Sequence, residues 1–376
     1  MSELEQPLFR FDTPLRESCP FFLGEGVSAQ LPTHLRSHAP DRCFLVTSRT
    51  LFDLFGRQLA GVLRDSRIRT TVLLVEDGEV HKSWKALRRL GDRLVNAGAT
   101  KDSILLAFGG GMIGNLVGLA AALLYRGTRF VEIPTTIMAL TDSTLSNKQA
   151  INGRQGKNLF GVYHAPLFVW GDVRFARSEP VRQQRGGVVE GIKNILISGR
   201  CAGDAQPILD AWKTGDVPRL VRLLIDSKLP ILRADPTERN SAVALEYGHT
   251  FGHAIEWLAN GEVFHGEAVS IGMCLAAELC HSLGAMSDQF LEDHYDLLER
   301  KLSAPVRLPA SLAPQAVLQV MHRDNKRSGK GLGYLLLADY GRFVNPEGDL
   351  QTRVDEELVL KVLDRARARG DAVGTL

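Results

Sequence analysis

The chain has no run of about 18 apolar residues, no tail of one charge sign and no cysteines in CxxC spacing. The first absence leaves nothing that reads as a transmembrane helix, so no membrane partner is expected. The second removes the footprint of a protein that grips nucleic acid: 45 Lys and Arg against 43 Asp and Glu leave a net charge of +2, and no nucleic-acid partner is expected either. The third, with an odd total of five cysteines (Cys19, Cys43, Cys201, Cys274 and Cys280), argues against a disulfide framework or a thiolate zinc site. A reducing cytoplasm fits. The opening MSELEQPLFRFD likewise lacks the basic start and apolar stretch of a signal peptide.

What remains is an ordinary globular composition, with 44% hydrophobic and 23% charged residues over 376 positions, enough for a large core and a prior for two domains. Short apolar runs alternate with helical patterns in the first half: Cys43 to Thr47, Thr71 to Val75, Ser103 to Phe108 and Arg129 to Ile133 read as buried strands. Such alternation implies a parallel, helix-covered sheet with ligands beyond the carboxyl ends of the strands. After about residue 180 the strand signals thin out. Helical patterns dominate there, over Gly187 to Ser198, Pro218 to Leu229, Asn240 to Ala259 and Glu267 to Leu283, with a short β-like element at Gly333 to Leu337. The expected fold is an α/β, Rossmann-like domain over residues 1–178 with a parallel sheet, and a mainly α-helical domain over 179–376.

Three constellations carry chemistry. Ile104 to Phe108 runs into Gly109-Gly110-Gly111-Met112-Ile113-Gly114 and then into an apolar helical pattern. Strand, glycine turn and helix suit a dinucleotide pyrophosphate, because glycines let the backbone approach and the helix start favours an anion. The second half supplies Glu190, His249, His253 and His265, types that bind a catalytic divalent cation. His249 and His253, four apart, share a helix face, and Glu246 is expected on the same face. Glu190 and Lys193 likewise set an acid and an amine on one face. The third cluster, Asp142, Lys148, Lys157 and Asn158 among Thr135, Thr136, Ser143 and Ser146, reads as a loop region whose ammonium and hydroxyl groups suit a phosphate.

These residues resemble the dehydroquinate synthase-like sugar-phosphate cyclases. The likeness runs from about Gly78 to Lys326 through Asp77-Gly78-Glu79 with Lys82, FGGGMIGN at 108–115, Tyr125-Arg126-Gly127, IPTT at 133–136, the Asp142 to Lys148 loop, Gly156-Lys157-Asn158, EGIK at 190–193, GHTFGHAIE at 248–256 and HGEAVSIGM from His265. The resemblance implies that Glu190, His249 and His265 are metal ligands for Zn or Co. It also implies that Lys148, Glu246 and His253 are catalytic, and that Asp142, Lys157, Asn158, Lys193, Lys228 and Lys326 contact a sugar phosphate. Arg126 is then the residue that reaches a phosphate in the neighbouring subunit of a homodimer. Glu79, Lys82, Gly110, Gly111, Asn115, Thr135, Thr136 and Asp142 are the expected NAD contacts. Near Thr47-Ser48 the chain lacks an acid that the family often has for the adenosine ribose.

Within the family, charge bears on substrate. A dehydroquinate synthase, which binds a carboxylate, carries arginine where Ala242 stands and asparagine where Glu246 stands. Here the positive partner is missing and Glu246 adds a negative charge, which penalises a carboxylate. LEYGHT at 245–250 and SNKQAIN at 146–152 look most like the branch that cyclises glucose 6-phosphate to 2-deoxy-scyllo-inosose, a precursor of aminoglycoside antibiotics, with Asn147 and Ile151 as small departures. The alternatives are dehydroquinate synthase or another cyclase, a metal-dependent NAD alcohol or polyol dehydrogenase, and a binding protein without catalysis.

Overall fold

The computed structural model describes residues 9–13, 16–154, 156–235, 238, 241–323, 331–345, 347 and 349–371; Lys326 lies outside the described residues. The chain divides into two compact units, one of Met1–Gly153, Asn158–Pro180 and Val217–Ile225, the other of Arg154–Lys157, Val181–Asp216 and Asp226–Leu376.

The first unit is built on strands β1 (Phe9–Thr13), β2 (Arg16–Gly24), β3 (Cys43–Ser48), β4 (Thr70–Val75), β5 (Ile104–Gly109) and β6 (Arg129–Pro134), then β7 (Lys148–Ile151), β8 (Phe160–Tyr163) and β9 (Val169–Asp172). Seven of them form one sheet in the order β1-β2-β9-β6-β5-β3-β4. β1 runs antiparallel to β2, and every other pairing is parallel. The four strands expected from apolar runs are all present, each shifted by one residue at most. Their unbroken hydrophobicity has a physical cause: both faces of the sheet are covered. Leu45, Leu106 and Val131 pack on one side with Leu31, Leu35, Leu59 and Leu63. Phe44, Val46, Leu105 and Phe130 pack on the other with Leu87, Leu90, Leu116 and Val117. The expectation of a plain loop between Asp142 and Asn158 is corrected, because Lys148 heads β7, which pairs antiparallel with β8.

The second unit's helices include Val181–Ile197, His249–Ala259, His265–Ser282 and Glu356–Asp371. The helix expected over Asn240 to Ala259 is broken. Ser241–Glu246 is a 3-10 helix, and the α-helix begins only at His249. Gly248 makes the break, with φ at +78° and no room for a side chain: a Cβ there would lie 2.7 Å from Met273 Cγ. Close approach recurs where Gly266 meets Gly186, since a Cβ on Gly266 would fall 2.1 Å from Gly186 Cα. Glycine contacts of this kind bring the helix of Glu190 against the helix of His265. The expected strand at Gly333 to Leu337 is two shorter ones, Tyr334–Leu335 pairing with Gln351–Thr352 and Leu337–Asp339 pairing with Arg342–Phe343. Among the described residues no helix is long and apolar enough to cross a membrane.

Candidate metal and cofactor sites

Glu190 comes from the helix Val181–Ile197, His249 from the first turn of His249–Ala259 and His265 from the first turn of His265–Ser282. Their ligand atoms converge within 4.8 Å. Hydrogen bonding fixes what each imidazole presents. His249 Nδ1 faces the Tyr247 carbonyl at 3.2 Å, and His265 Nδ1 faces Glu256 Oε2 at 3.0 Å. Both partners only accept, so each Nδ1 carries a proton, and in the neutral imidazole each Nε2 turns a lone pair inward. The two Nε2 atoms stand 3.6 Å from the same oxygen, Glu190 Oε1. That oxygen is buried without a hydrogen-bond partner. Three acceptors facing one another repel unless a positive charge sits among them. Two ligands about 2.1 Å from an ion at tetrahedral angles lie roughly 3.4 Å apart, close to the spacing found. The residues therefore fit a divalent cation.

Glu246, His249 and His253 form a second group of the same kind. His249 belongs to both groups, and with its Nδ1 proton committed it has one lone pair to give, so it could serve one ion only. Glu246 joins the second group from the 3-10 helix before the Gly248 break, which corrects its expected position on the α-helix of the histidines. The two rings lie close, with 5.3 Å between the His249 and His253 centroids.

Surrounding charge completes the electrostatics. Lys193 is ion-paired to Glu190 Oε2, as their spacing on one helix face predicts. Burial works against the Glu190 charge, but Lys193, His249 and His265 hold its carboxyl well below the usual carboxylate range. Glu256 is held low against the same penalty by His265 and Lys157. Desolvation opposes the proton on His265, and Glu256 and Glu190 outweigh it, lifting the group to about 10. The surroundings that favour a second proton on His265 favour a cation equally. Lys228 is buried on the helix Val217–Ala234, where the adjacent Ser227 accepts from Asn194 Nδ2 at 3.1 Å, next to Lys193.

In the sheet unit, β5 and β6 end in register, Gly109 opposite Pro134, and the Thr135 N–H donates to the Gly109 carbonyl at 3.0 Å. Gly110 and Gly111 thereby open the 13-residue helix Gly111–Leu123 beside Thr136 and Ser143. Thr136 caps the short helix Ile137–Thr141 by accepting from the Ala139 N–H, and Asp142 stands at that helix's end. Asn115 donates to the Gly111 carbonyl and accepts from the Ala150 N–H, each at 3.0 Å. Its amide thus fastens β7, and with it Lys148, to the glycine helix. Glu79 accepts from Asn152 Nδ2 at 3.0 Å, while Lys82 donates to Asn158 Oδ1 at 2.5 Å. Asn158 holds a left-handed φ of +53°. Arg126, also left-handed at +66°, is exposed at the end of the glycine helix.

Sequence reasoning gave no role to Glu256, the Tyr247 carbonyl or Glu179. Glu256 is seven residues after His249 on its helix, two turns along the same face, and that spacing was the available signal. Glu179 Oε2 accepts from the Ile137 N–H at 2.8 Å behind the Thr136 turn, and no local pattern announces it.

The 3-dehydroquinate synthase N-terminal family model matches residues 72–186 and the 3-dehydroquinate synthase C-terminal model matches 189–327. A 2-deoxy-scyllo-inosose synthase of Streptomyces lividus is 36% identical over 369 residues, covering 94% of both chains. The chain belongs to the dehydroquinate synthase family of sugar-phosphate cyclases. Another family member, the 2-deoxy-scyllo-inosose synthase of Streptomyces kanamyceticus, is 33% identical and covers 95% of both chains. A solved 2-deoxy-scyllo-inosose synthase, complexed with carbaglucose-6-phosphate, NAD+ and Co2+, superposes with a TM-score of 0.82 at 29% identity, covering 93% of this chain and 97% of that one. A probable glycerol dehydrogenase from Sinorhizobium meliloti 1021, at 16% identity and a TM-score of 0.62 over 94% of this chain and 97% of its own, shares the fold.

Proposed function

We propose that this cyclase converts D-glucose 6-phosphate to 2-deoxy-scyllo-inosose with release of phosphate, as an NAD- and divalent-metal-dependent lyase of aminoglycoside biosynthesis. The observation that carries the reading is the convergence of Glu190 Oε1 with the Nε2 atoms of His249 and His265. Its substrate side rests on the relatives' activity and on charge. Ala242 offers no cation for a carboxylate, and Glu246 stands beside the ion site, so a neutral polyol phosphate is favoured over a carboxylated one.

Phosphate leaves poorly from an unactivated carbon, so a ketone must first form at C4 to acidify the C5 proton. When bound, NAD lends a hydride acceptor for C4 and takes no net electrons over the cycle, while the cation, Zn or Co, supplies Lewis acidity at the sugar hydroxyls. Glu190, His249 and His265 hold that cation. Gly110 and Gly111 receive the pyrophosphate at a helix start, with Glu79, Lys82, Asn115, Thr135, Thr136 and Asp142 completing the dinucleotide set. Lys148, Lys157, Asn158, Lys193 and Lys228 bind the substrate's phosphate and hydroxyls, stabilising charge as the C6–O bond breaks. The C5 proton goes to His253, to Glu246 or to the departing phosphate itself. Once the ring opens, the C6 enol carbon attacks the C1 aldehyde, a step favoured by keeping both ends in one site.

We further propose a homodimer in which the exposed Arg126 reaches the second copy's phosphate, and a functional division near residue 178. The deciding experiment incubates the protein with glucose 6-phosphate, NAD and Co(II). The expected result is stoichiometric phosphate release, a carbocyclic product by mass and no build-up of NADH. Steady NADH accumulation, or turnover only of the carboxylated heptulosonate phosphate, would contradict the reading.

A further inference from the structure

Glu256 is the one carboxylate of the histidine helix that faces two of the groups assigned above, and it touches each with a different oxygen. Oε2 lies 3.0 Å from the Nδ1 of His265, and Oε1 is ion-paired to Lys157. All three belong to the helical unit, because the segment Arg154–Lys157 groups there while its chain neighbours do not. Both side chains of the ion pair are only 11% exposed, so neither charge is well solvated and each depends on the other.

We propose that Glu256 is a positioning residue that joins the metal ligand His265 to Lys157, so that occupancy of the cation site and placement of the phosphate-binding ammonium are set together. This rests on the metal and substrate reading given above. The physical reason is that one carboxylate serves two donors. By accepting from Nδ1 it fixes the His265 tautomer and makes Nε2 a better ligand. By facing Lys157 it holds the ammonium at one distance from the ion site. A glutamine cannot do both: its oxygen can serve either the imidazole or the lysine, and its amide N–H groups must then point at the other donor.

Zn(II) affinity of the substrate-free protein is measured by competition with a chromophoric chelator, alongside the KM for glucose 6-phosphate at saturating metal. Glu256→Gln is expected to weaken Zn(II) binding by about 10–100-fold and to raise KM by about tenfold with a smaller change in kcat. Lys157→Met should raise KM similarly, and the double variant should be no worse than the worse single one, because both substitutions remove one unit. Glu256→Asp, a methylene shorter and able to reach only one partner, gives the same readout if the glutamine variant folds poorly. Wild-type Zn(II) affinity in folded Glu256 variants, or KM effects that multiply in the double variant, would overturn the inference. A wild-type chain that binds no Zn(II) would instead remove the metal reading beneath it.

Discussion

Both units bury glutamates, and they do so with opposite outcomes. In the sheet unit Glu132 meets Gln149 Nε2 at 3.3 Å and Glu179 meets the Ile137 N–H, and burial pushes both carboxyls up to about 7. In the helical unit Glu190 and Glu256 carry the same desolvation penalty, yet Lys193, Lys157 and the histidines drive them down. The difference is cationic neighbours. An amide partner lets a buried acid remain neutral, whereas an ammonium or imidazolium keeps it charged and ready for a metal ion. Of these four glutamates, the two kept charged lie among the helices and the two pushed toward neutrality lie in the sheet unit.

The largest test of that contrast removes an imidazole. His249→Ala should lower metal-dependent phosphate release on the order of 10³-fold, about 4 kcal/mol, with the circular dichroism spectrum unchanged; normal turnover would take His249 out of the site. Next comes the backbone that places it. Gly248→Ala forces a Cβ into a left-handed residue against Met273 and should cost about 3–4 kcal/mol in urea unfolding, while a loss under 1 kcal/mol would mean that the helix break is not what sets the histidines.

Much of this was legible in the sequence, and the exceptions are instructive. The central strands announced themselves because helices cover both faces and every position had to be apolar. Strand β9, only Val169–Asp172, ends in Asp172, whose carboxylate accepts from Gly26 and Ser28, and so short a run was not among the strands expected from the sequence. The candidate set Glu190, His249, His253 and His265 stood out by residue type and by the four-residue spacing of His249 and His253, whereas the choice of Glu190, His249 and His265 as the proposed ligands came from the resemblance. The break at Gly248 was hidden because a helical period continues through Glu246 by accident of spacing. Glu256 was passed over because a glutamate on a helix usually belongs to a solvated face, and its partner Lys157 is 99 residues away in the chain.

The smaller tests use pH. His294 is buried, donates Nδ1–H to the Phe290 carbonyl and accepts from the Tyr247 hydroxyl, and burial lowers it from 6.5 to about 4. Its folded value lies below its unfolded one, so its contribution is full above about 6.5 and is lost as pH falls toward 4, amounting to about 3 kcal/mol. Glu132 is raised from 4.5 to about 7, so its contribution is present below about 4.5 and is lost, again by about 3 kcal/mol, as pH rises toward 7. The two run oppositely across one window. Urea midpoints should show His294→Gln losing less stability than wild type on acidification, and Glu132→Gln losing less on the way from pH 4.5 to 7. Parallel curves for wild type and either variant would show that the group titrates normally.

One measurement addresses the metal centre itself: titration of the protein with Co(II), followed by visible absorption, in wild type and in Glu190→Gln. One equivalent should saturate the wild-type bands, and the Glu190→Gln protein should show neither the bands nor the break at one equivalent. Identical titrations in the two proteins would contradict an ion held by Glu190, His249 and His265.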